Sequence, residues 1–296
     1  DDELLALFNV PQSLLPTVED CAAVLGHSDA ALFGSPIAIS AMAGDQQAAL
    51  VGQACTRPGM IKGTYGTGCF MMLNTGSKAL RSSQRLLSTV AYRLKGETTY
   101  ALEGSIFMAG AAVQWLRDGL RIIDAAEQTE ALARQANPEH KVYLVPAFTG
   151  LGAPYWDPDA RGALLGLTRD SGVNEIVAAT LQAVAYQSKD LIDAMEKDAG
   201  IKVQSLRVDG AMAANNYLME FTSDLLNIEI QRSAMNETTA LGVAYLAGLQ
   251  AGIYASLESL ATQWRCQQLT EAKMSTTLRE QLYAGWLEAV ERIKTR

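Results

Sequence analysis

An α/β domain built on a mixed sheet is what this sequence predicts, and three observations predict it. Short β-rich segments crowd between residues 60 and 102, with turn residues between them. From about residue 174 onward, helical and strand-like runs alternate. Hydrophobic residues make up 49% of the 296 and charged residues 19%, enough apolar side chain to bury a substantial core. A meander followed by alternating helices and strands gives a sheet with both antiparallel and parallel neighbours.

The elements follow in order. Residues 1–30 are a mixed lead-in: Leu4, Leu5, Leu7 and Phe8 precede Val10-Pro11-Gln12-Ser13-Leu14-Leu15-Pro16. Two prolines so close together read as a short helix and then a turn. The lead-in has no core of its own ahead of Ile37. A strand-like run, 37–42, enters Ala43-Gly44-Asp45-Gln46-Gln47, and an Ala/Leu-rich helix is expected over 46–54. Strands are expected at 60–65, 69–74, 87–94 and 98–102. Beyond Gly104 the period becomes helical, with Ile106, Gly110, Val113, Leu116 and Leu120 on one face and a second helix at 124–135. A buried strand at 142–148 opens on the loop Thr149-Gly150-Leu151-Gly152-Ala153-Pro154-Tyr155-Trp156-Asp157-Pro158. A long helix over 174–199, a strand at 205–209 and a helix at 217–226 come next. The chain closes with a strand at 228–231 and helices at 239–251 and 276–294.

Composition removes several function classes. With 24 Lys and Arg against 32 Asp and Glu, the net charge of −8 offers no surface for a nucleic-acid backbone. The apolar runs, such as 37–43, are too short to span a bilayer. The opening Asp-Asp-Glu-Leu-Leu lacks the basic flank of a secretory signal. Cys21, Cys55, Cys69 and Cys266 form no Cys-x-x-Cys pair, so a reducing cytoplasm is expected. His27 and His140 stand apart from any ligand at metal spacing, which argues against a dedicated zinc site.

Four places could carry chemistry. Gly63-Thr64-Tyr65-Gly66-Thr67-Gly68-Cys69-Phe70 lies between two expected strands; its glycines admit a phosphate to the backbone amides and its threonines add donors. The plain alternative is a hairpin with glycines at positive φ. It is no Walker A loop, because Gly-x-x-x-x-Gly-Lys-Ser/Thr occurs nowhere. Val208-Asp209-Gly210-Ala211-Met212-Ala213-Ala214-Asn215-Asn216 runs from strand to turn to helix. There a flat ligand could lie on small residues and Asn215 could reach a base or ribose, or Asn215 or Asn216 could simply cap the helix. Gly110 and Gln114 share a helix face, and a glycine within a helix costs about 1 kcal/mol against alanine. Close approach of a ligand would explain it, and so would tight helix contact. Asp45 is the sharpest feature. A carboxylate in a glycine turn can take a proton from a hydroxyl, the one such group phosphoryl transfer asks for; it could equally cap the helix that follows.

Together these stretches resemble the FGGY family of carbohydrate kinases. Gly162-Ala163-Leu164-Leu165-Gly166-Leu167, continuing through Glu175-Ile176-Val177-Ala178-Ala179-Thr180-Leu181-Gln182, is similar to the family's second signature. Ala43-Gly44-Asp45-Gln46-Gln47-Ala48-Ala49-Leu50, Tyr65-Gly66-Thr67-Gly68-Cys69-Phe70 and Pro154-Tyr155-Trp156-Asp157-Pro158 resemble the members that phosphorylate glycerol. The likeness covers nearly the whole chain and implies an actin/hexokinase-like ATPase (ribonuclease H-like) fold. It implies transfer of phosphate from ATP, with Mg2+, to glycerol. Asp45 would be the general base, Gln46 a glycerol contact and Phe70 an apolar wall. Thr67 would meet the terminal phosphates of ATP, and Gly110, Gln114, Ala211 and Asn215 would line the adenosine site.

Two departures and two partners complete the expectation. Ala211 stands where the family has glycine. Pro36, in Gly34-Ser35-Pro36, stands where bacterial members that bind a sugar bisphosphate carry arginine, so fructose 1,6-bisphosphate is not expected to inhibit. The resemblance also implies an amino-terminal domain ahead of this region, holding the first phosphate loop, the main magnesium-coordinating aspartate and most glycerol contacts. On that view residues 1–51 are the tail of that domain, carrying Asp45, and 52–296 form the carboxy-terminal nucleotide-binding domain. The chain by itself would then have little activity. A homo-oligomer is a further partner the resemblance allows. The competing expectations are a kinase for another polyol or sugar, and a non-catalytic actin-like nucleotide-binding module, against which Asp45-Gln46 speaks.

Overall fold

The computed structural model describes residues 1–295. The lead-in carries α1 (Asp2–Phe8), β1 (Ala22–His27), α2 (Ala30–Phe33) and β2 (Ala38–Ala41). Asp1 starts α1 by accepting the Glu3 N–H at 2.9 Å, and Asn9 ends it in a left-handed turn ahead of Pro11. β1 and β2 pair antiparallel in a small sheet of their own. No residue before Ala48 is buried, in keeping with a lead-in that lacks its own core. Strand β1 was not expected there; it is held by its pairing with β2 and not by any strong local pattern.

Next come α3 (Asp45–Gly52) and the meander β3 (Ile61–Tyr65), β4 (Cys69–Gly76), β5 (Leu87–Leu94) and β6 (Glu97–Ile106). The middle of the chain holds α4 (Gly110–Gln114), α5 (Gln128–Arg134), β7 (Tyr143–Val145) and β8 (Ala163–Leu165). The remainder alternates: α6 (Val173–Ala199), β9 (Ser205–Asp209), α7 (Asn216–Leu226), β10 (Glu229–Ser233), α8 (Thr238–Gln250), α9 (Leu257–Ala261), β11 (Cys266–Thr270) and α10 (Thr276–Glu291).

Seven strands form the central sheet in the order β11-β10-β9-β3-β4-β6-β5. β10, β9 and β3 run parallel, and every other pair is antiparallel. This is the mixed sheet expected. One face packs on α6, α7 and α10 through Leu73, Leu102, Val184, Leu206 and Trp286, all fully buried. The other face lies under α3 and α8, where Leu50, Val51, Met72, Tyr245 and Leu246 form a second core. Alternation along β4 sends Met71 and Leu73 one way and Met72 the other.

Several local expectations fail. Ile106 does not join a helix; it extends β6 because it pairs with Cys69 at the start of β4. Only Gly110–Gln114 is α-helical, and Trp115–Gly119 widens into a π turn, so the face from Ile106 to Leu120 is not one helix. The 124–135 segment likewise shortens to α5, and 142–148 to three residues of β7. β8, β11 and α9, each five residues or fewer, escape a reading that depends on repeated periods.

Candidate active site

The position of α3 is set by backbone contact. A Cβ on Gly52 would stand 1.9 Å from the Thr238 carbonyl oxygen, and one on Gly242 would stand 1.8 Å from that of Ala48. Only glycine lets α3 and α8 cross this closely, and the crossing fixes where the first turn of α3 points.

That first turn carries Asp45, which is exposed. The N-cap is Gly44, so Asp45 is the first helical residue and not the cap. Its two oxygens are both engaged by the next residue: Oδ1 accepts the Gln46 backbone N–H at 2.8 Å, and Oδ2 accepts from Gln46 Nε2 at 3.3 Å. Beneath it lies the α3-facing side of the sheet. Lys62 is directly opposite Met72, and Thr64 opposite Phe70, so these four side chains share that face. Glu103, opposite Met72 on β6, shares it too.

Lys62 is fully buried. Its Nζ donates to Gln46 Oε1, to Thr64 Oγ1 at 3.1 Å and to the Phe70 carbonyl oxygen at 3.3 Å. Burial pushes its pKa down, opposed chiefly by the field of Asp209. The Glu103 carboxyl is pushed up by burial; Lys62 pulls it down and Asp45 adds to the rise. Asp209, buried at the end of β9, accepts from Gln53 Nε2 at 2.8 Å and from Thr238 Oγ1, while its Oδ1 has no hydrogen-bond partner. Sequence reasoning missed Lys62. A lysine on a strand reads as solvent-facing, and its burial follows from the central place of β3 in a sheet covered by α3.

The turns form the second part of the site. The β3–β4 turn is closed by the Gly66 N–H donating to the Gly68 carbonyl at 2.8 Å. Neither glycine has positive φ, so that reading of the hairpin is wrong. The constraint is space, since a Cβ on Gly68 would lie 2.7 Å from the Ile106 carbonyl oxygen. α4 begins against this turn: Gly110 N–H donates to Gly66 O and Ala111 N–H to Thr67 O, each at 2.9 Å. A Cβ on Gly110 would come within 2.7 Å of Gly66 O, which answers why a glycine starts this helix. From the other side, Gly210 (φ +88°) brings the chain over Tyr65, whose carbonyl oxygen would be 2.5 Å from an added Cβ.

Thr67, Gly110 and the Gly210–Asn215 turn are thereby gathered into one place, with Met212 Sδ 3.5 Å from where a Gly110 Cβ would sit. Thr67 and Ala211 are exposed there, and Gln114, also exposed, lies one turn further along α4. Asn215 caps α7, accepting the Leu218 N–H at 3.0 Å and donating to Thr129 Oγ1 at 3.1 Å. Ala211 lies in a 3-10 turn without positive φ, so its methyl adds no backbone strain. The loop around Trp156 does different work. Asp157 accepts from Thr295 N and Oγ1, both at 2.7 Å, and Arg85 Nη1 donates to Tyr155 O at 2.7 Å. It ties the meander to the chain's end.

The family described as "FGGY family of carbohydrate kinases, C-terminal domain" matches residues 61–251. The chain belongs to the FGGY family of carbohydrate kinases. It is 59% identical over 295 residues to a glycerol kinase of Ectopseudomonas mendocina, covering 100% of this chain and 60% of that protein. A Pseudomonas aeruginosa protein named glycerol kinase 1 is 58% identical with the same coverage. Among solved structures, the Plasmodium falciparum glycerol kinase with ADP superposes with a TM-score of 0.93 at 36% identity, over 100% of this chain and 60% of that one. A Lactobacillus acidophilus gluconate kinase, at 18% identity and a TM-score of 0.86, shares the fold. The fold is thus the actin/hexokinase-like ATPase fold of these FGGY kinases, and the chain spans about 60% of the relatives' length.

Proposed function

We propose that this chain supplies the general base and the nucleotide-binding turns of an enzyme that phosphorylates glycerol from ATP to give sn-glycerol 3-phosphate. The observation that carries this reading is the placement of Asp45. It is an exposed carboxylate at a helix start, held on both oxygens by Gln46, whose side chain reaches through Lys62 to Thr64 and the Phe70 carbonyl on the sheet face below. In that place Asp45 accepts the proton of an acceptor hydroxyl as its oxygen bonds to the terminal phosphorus and the bond to the ADP oxygen breaks. Gln46 and Phe70 contact the polar and carbon edges of glycerol. Thr67 meets the terminal phosphates, and Gly110, Gln114, Ala211 and Asn215 line the adenosine. The names of relatives 59% and 58% identical across the chain support glycerol as the acceptor.

The rest of the enzyme belongs to the same proposal. Mg2+ would arrive with ATP and neutralise phosphate charge, and its main ligand is assigned to the amino-terminal domain. Residues 1–51 would be the tail of that domain and 52–296 the nucleotide-binding domain. No helix among the described residues is long and apolar enough to cross a membrane, and a cytoplasmic location is part of the proposal.

The test is an acceptor panel with the full-length protein that contains this chain. Glycerol is expected to be phosphorylated in preference to xylulose, gluconate and other polyols. Preference for a sugar would move the assignment elsewhere in the family, and ADP binding without turnover on any acceptor would favour a non-catalytic nucleotide-binding module.

A further inference from the structure

Lys62 is costly where it stands. An ammonium removed from water loses several kcal/mol of hydration unless a close counter-charge restores it, and no ion pair among the described residues involves Lys62. Its three acceptors are all neutral: an amide oxygen, a hydroxyl and a backbone carbonyl. A leucine or methionine would fit a central strand at lower cost. Residues that break a local rule of folding concentrate at functional sites, and this one lies directly beneath Gln46.

The chemistry of the contact is directional. An ammonium has three donors and no acceptor, so the Gln46 atom that faces it must be the amide oxygen. The NH2 is then necessarily turned the other way, and Asp45 Oδ2 receives it at 3.3 Å. Without Lys62 the amide oxygen loses its anchor on the sheet, and the side chain is free to swing its NH2 out of reach of the carboxylate. We propose that Lys62 is a positioning residue that locks the Gln46 side-chain amide with its NH2 toward Asp45, and so holds the carboxylate of Asp45 in its working orientation. Thr64 and the Phe70 carbonyl fix the ammonium in turn, which joins the strand beneath the acceptor to the helix that carries the base.

This rests on Asp45 being the base, and the experiment separates the two claims. In the full-length protein, Lys62→Met, Gln46→Ala and the double variant are assayed for kcat/KM with glycerol, KM for ATP and Tm. Asp45→Asn is run beside them. Lys62→Met is expected to lower kcat/KM for glycerol by about tenfold to a hundredfold, the scale of a misplaced catalytic group, with KM for ATP within about twofold. In the Gln46→Ala background the same change should cost less than about threefold, because residues acting through one another are not additive. An equal loss in both backgrounds, or a rise in KM for ATP matching the loss with glycerol, overturns the proposal.

Should Lys62→Met fail to fold, Gln46→Glu decides. It pairs the buried ammonium with a carboxylate, so Tm should be kept or raised, yet it removes the NH2 that faces Asp45. A loss of about tenfold or more is expected in kcat, where a lost glycerol contact alone would raise KM, and a retained kcat overturns the proposal. Full turnover in Asp45→Asn would instead remove the base assignment itself, whatever the Lys62 variants do.

Discussion

Around Asp45 the site is made of side chains that hold one another, whereas around Gly66, Gly110 and Gly210 it is made of backbone pressed against backbone. Lys62 reaches Gln46, and Gln46 reaches Asp45. Across the turns the fixed contacts are amides and carbonyls, Gly110 to Gly66 and Ala111 to Thr67, at positions where a methyl would collide. The two parts meet on β3 and β4, where Thr64 and Phe70 are paired one step before Tyr65 and Cys69 close the turn. The difference teaches how each part fails. Side chains can be trimmed one at a time with graded loss of chemistry. At Gly68, Gly110 and Gly210 the turns leave no room for an added side chain.

That contrast can be broken in order of severity. Gly210→Ala should do most damage, since φ +88° with ψ 164° is open to glycine almost alone and the new Cβ would meet Tyr65 O at 2.5 Å. A destabilisation of roughly 3 kcal/mol or more is expected in thermal unfolding, with loss of ADP binding. Phe70→Ala should spare the fold and ADP affinity and raise KM for glycerol about tenfold, the scale of one apolar side chain's contact, which steady-state kinetics of the full-length protein would show. Ala211→Gly is the mildest. With no strain at Ala211 to relieve, ADP affinity by calorimetry should stay within about threefold and stability should fall by less than about 1 kcal/mol. A large gain in ADP affinity would mean that the methyl obstructs the nucleotide.

Much of this was legible in the sequence, and the gaps have physical causes. The strand at 87–94 has the bounds expected, and α6 begins one residue early, because long runs of regular period and clear turn residues mark themselves. Asp45, Thr67, Gly110 and Asn215 stand out in the sequence because glycine turns and a carboxylate at a helix start are visible locally, and the structure brings Thr67, Gly110 and the turn before Asn215 together. The fate of Ile106 was not, since strand pairing with Cys69 is decided 37 residues away in the chain. Lys62 and the buried Gln53–Asp209–Thr238 contacts were hidden for the same reason: burial is a property of what lies above a strand, here α3 and α8. The glycines of the β3–β4 turn were noticed for φ, yet what they provide is room.

We assign Asp45 as the proton acceptor of a phosphoryl transfer whose nucleotide is held by the glycine turns. Its direct test is glycerol-dependent ADP formation by the full-length Asp45→Asn protein, with ADP affinity measured on the same sample. Turnover should fall by about a hundredfold to ten-thousandfold, the share supplied by a positioned base, while ADP affinity stays within about threefold because no nucleotide turn depends on that carboxylate. Turnover at the parent rate, or ADP affinity lost together with turnover, would contradict it.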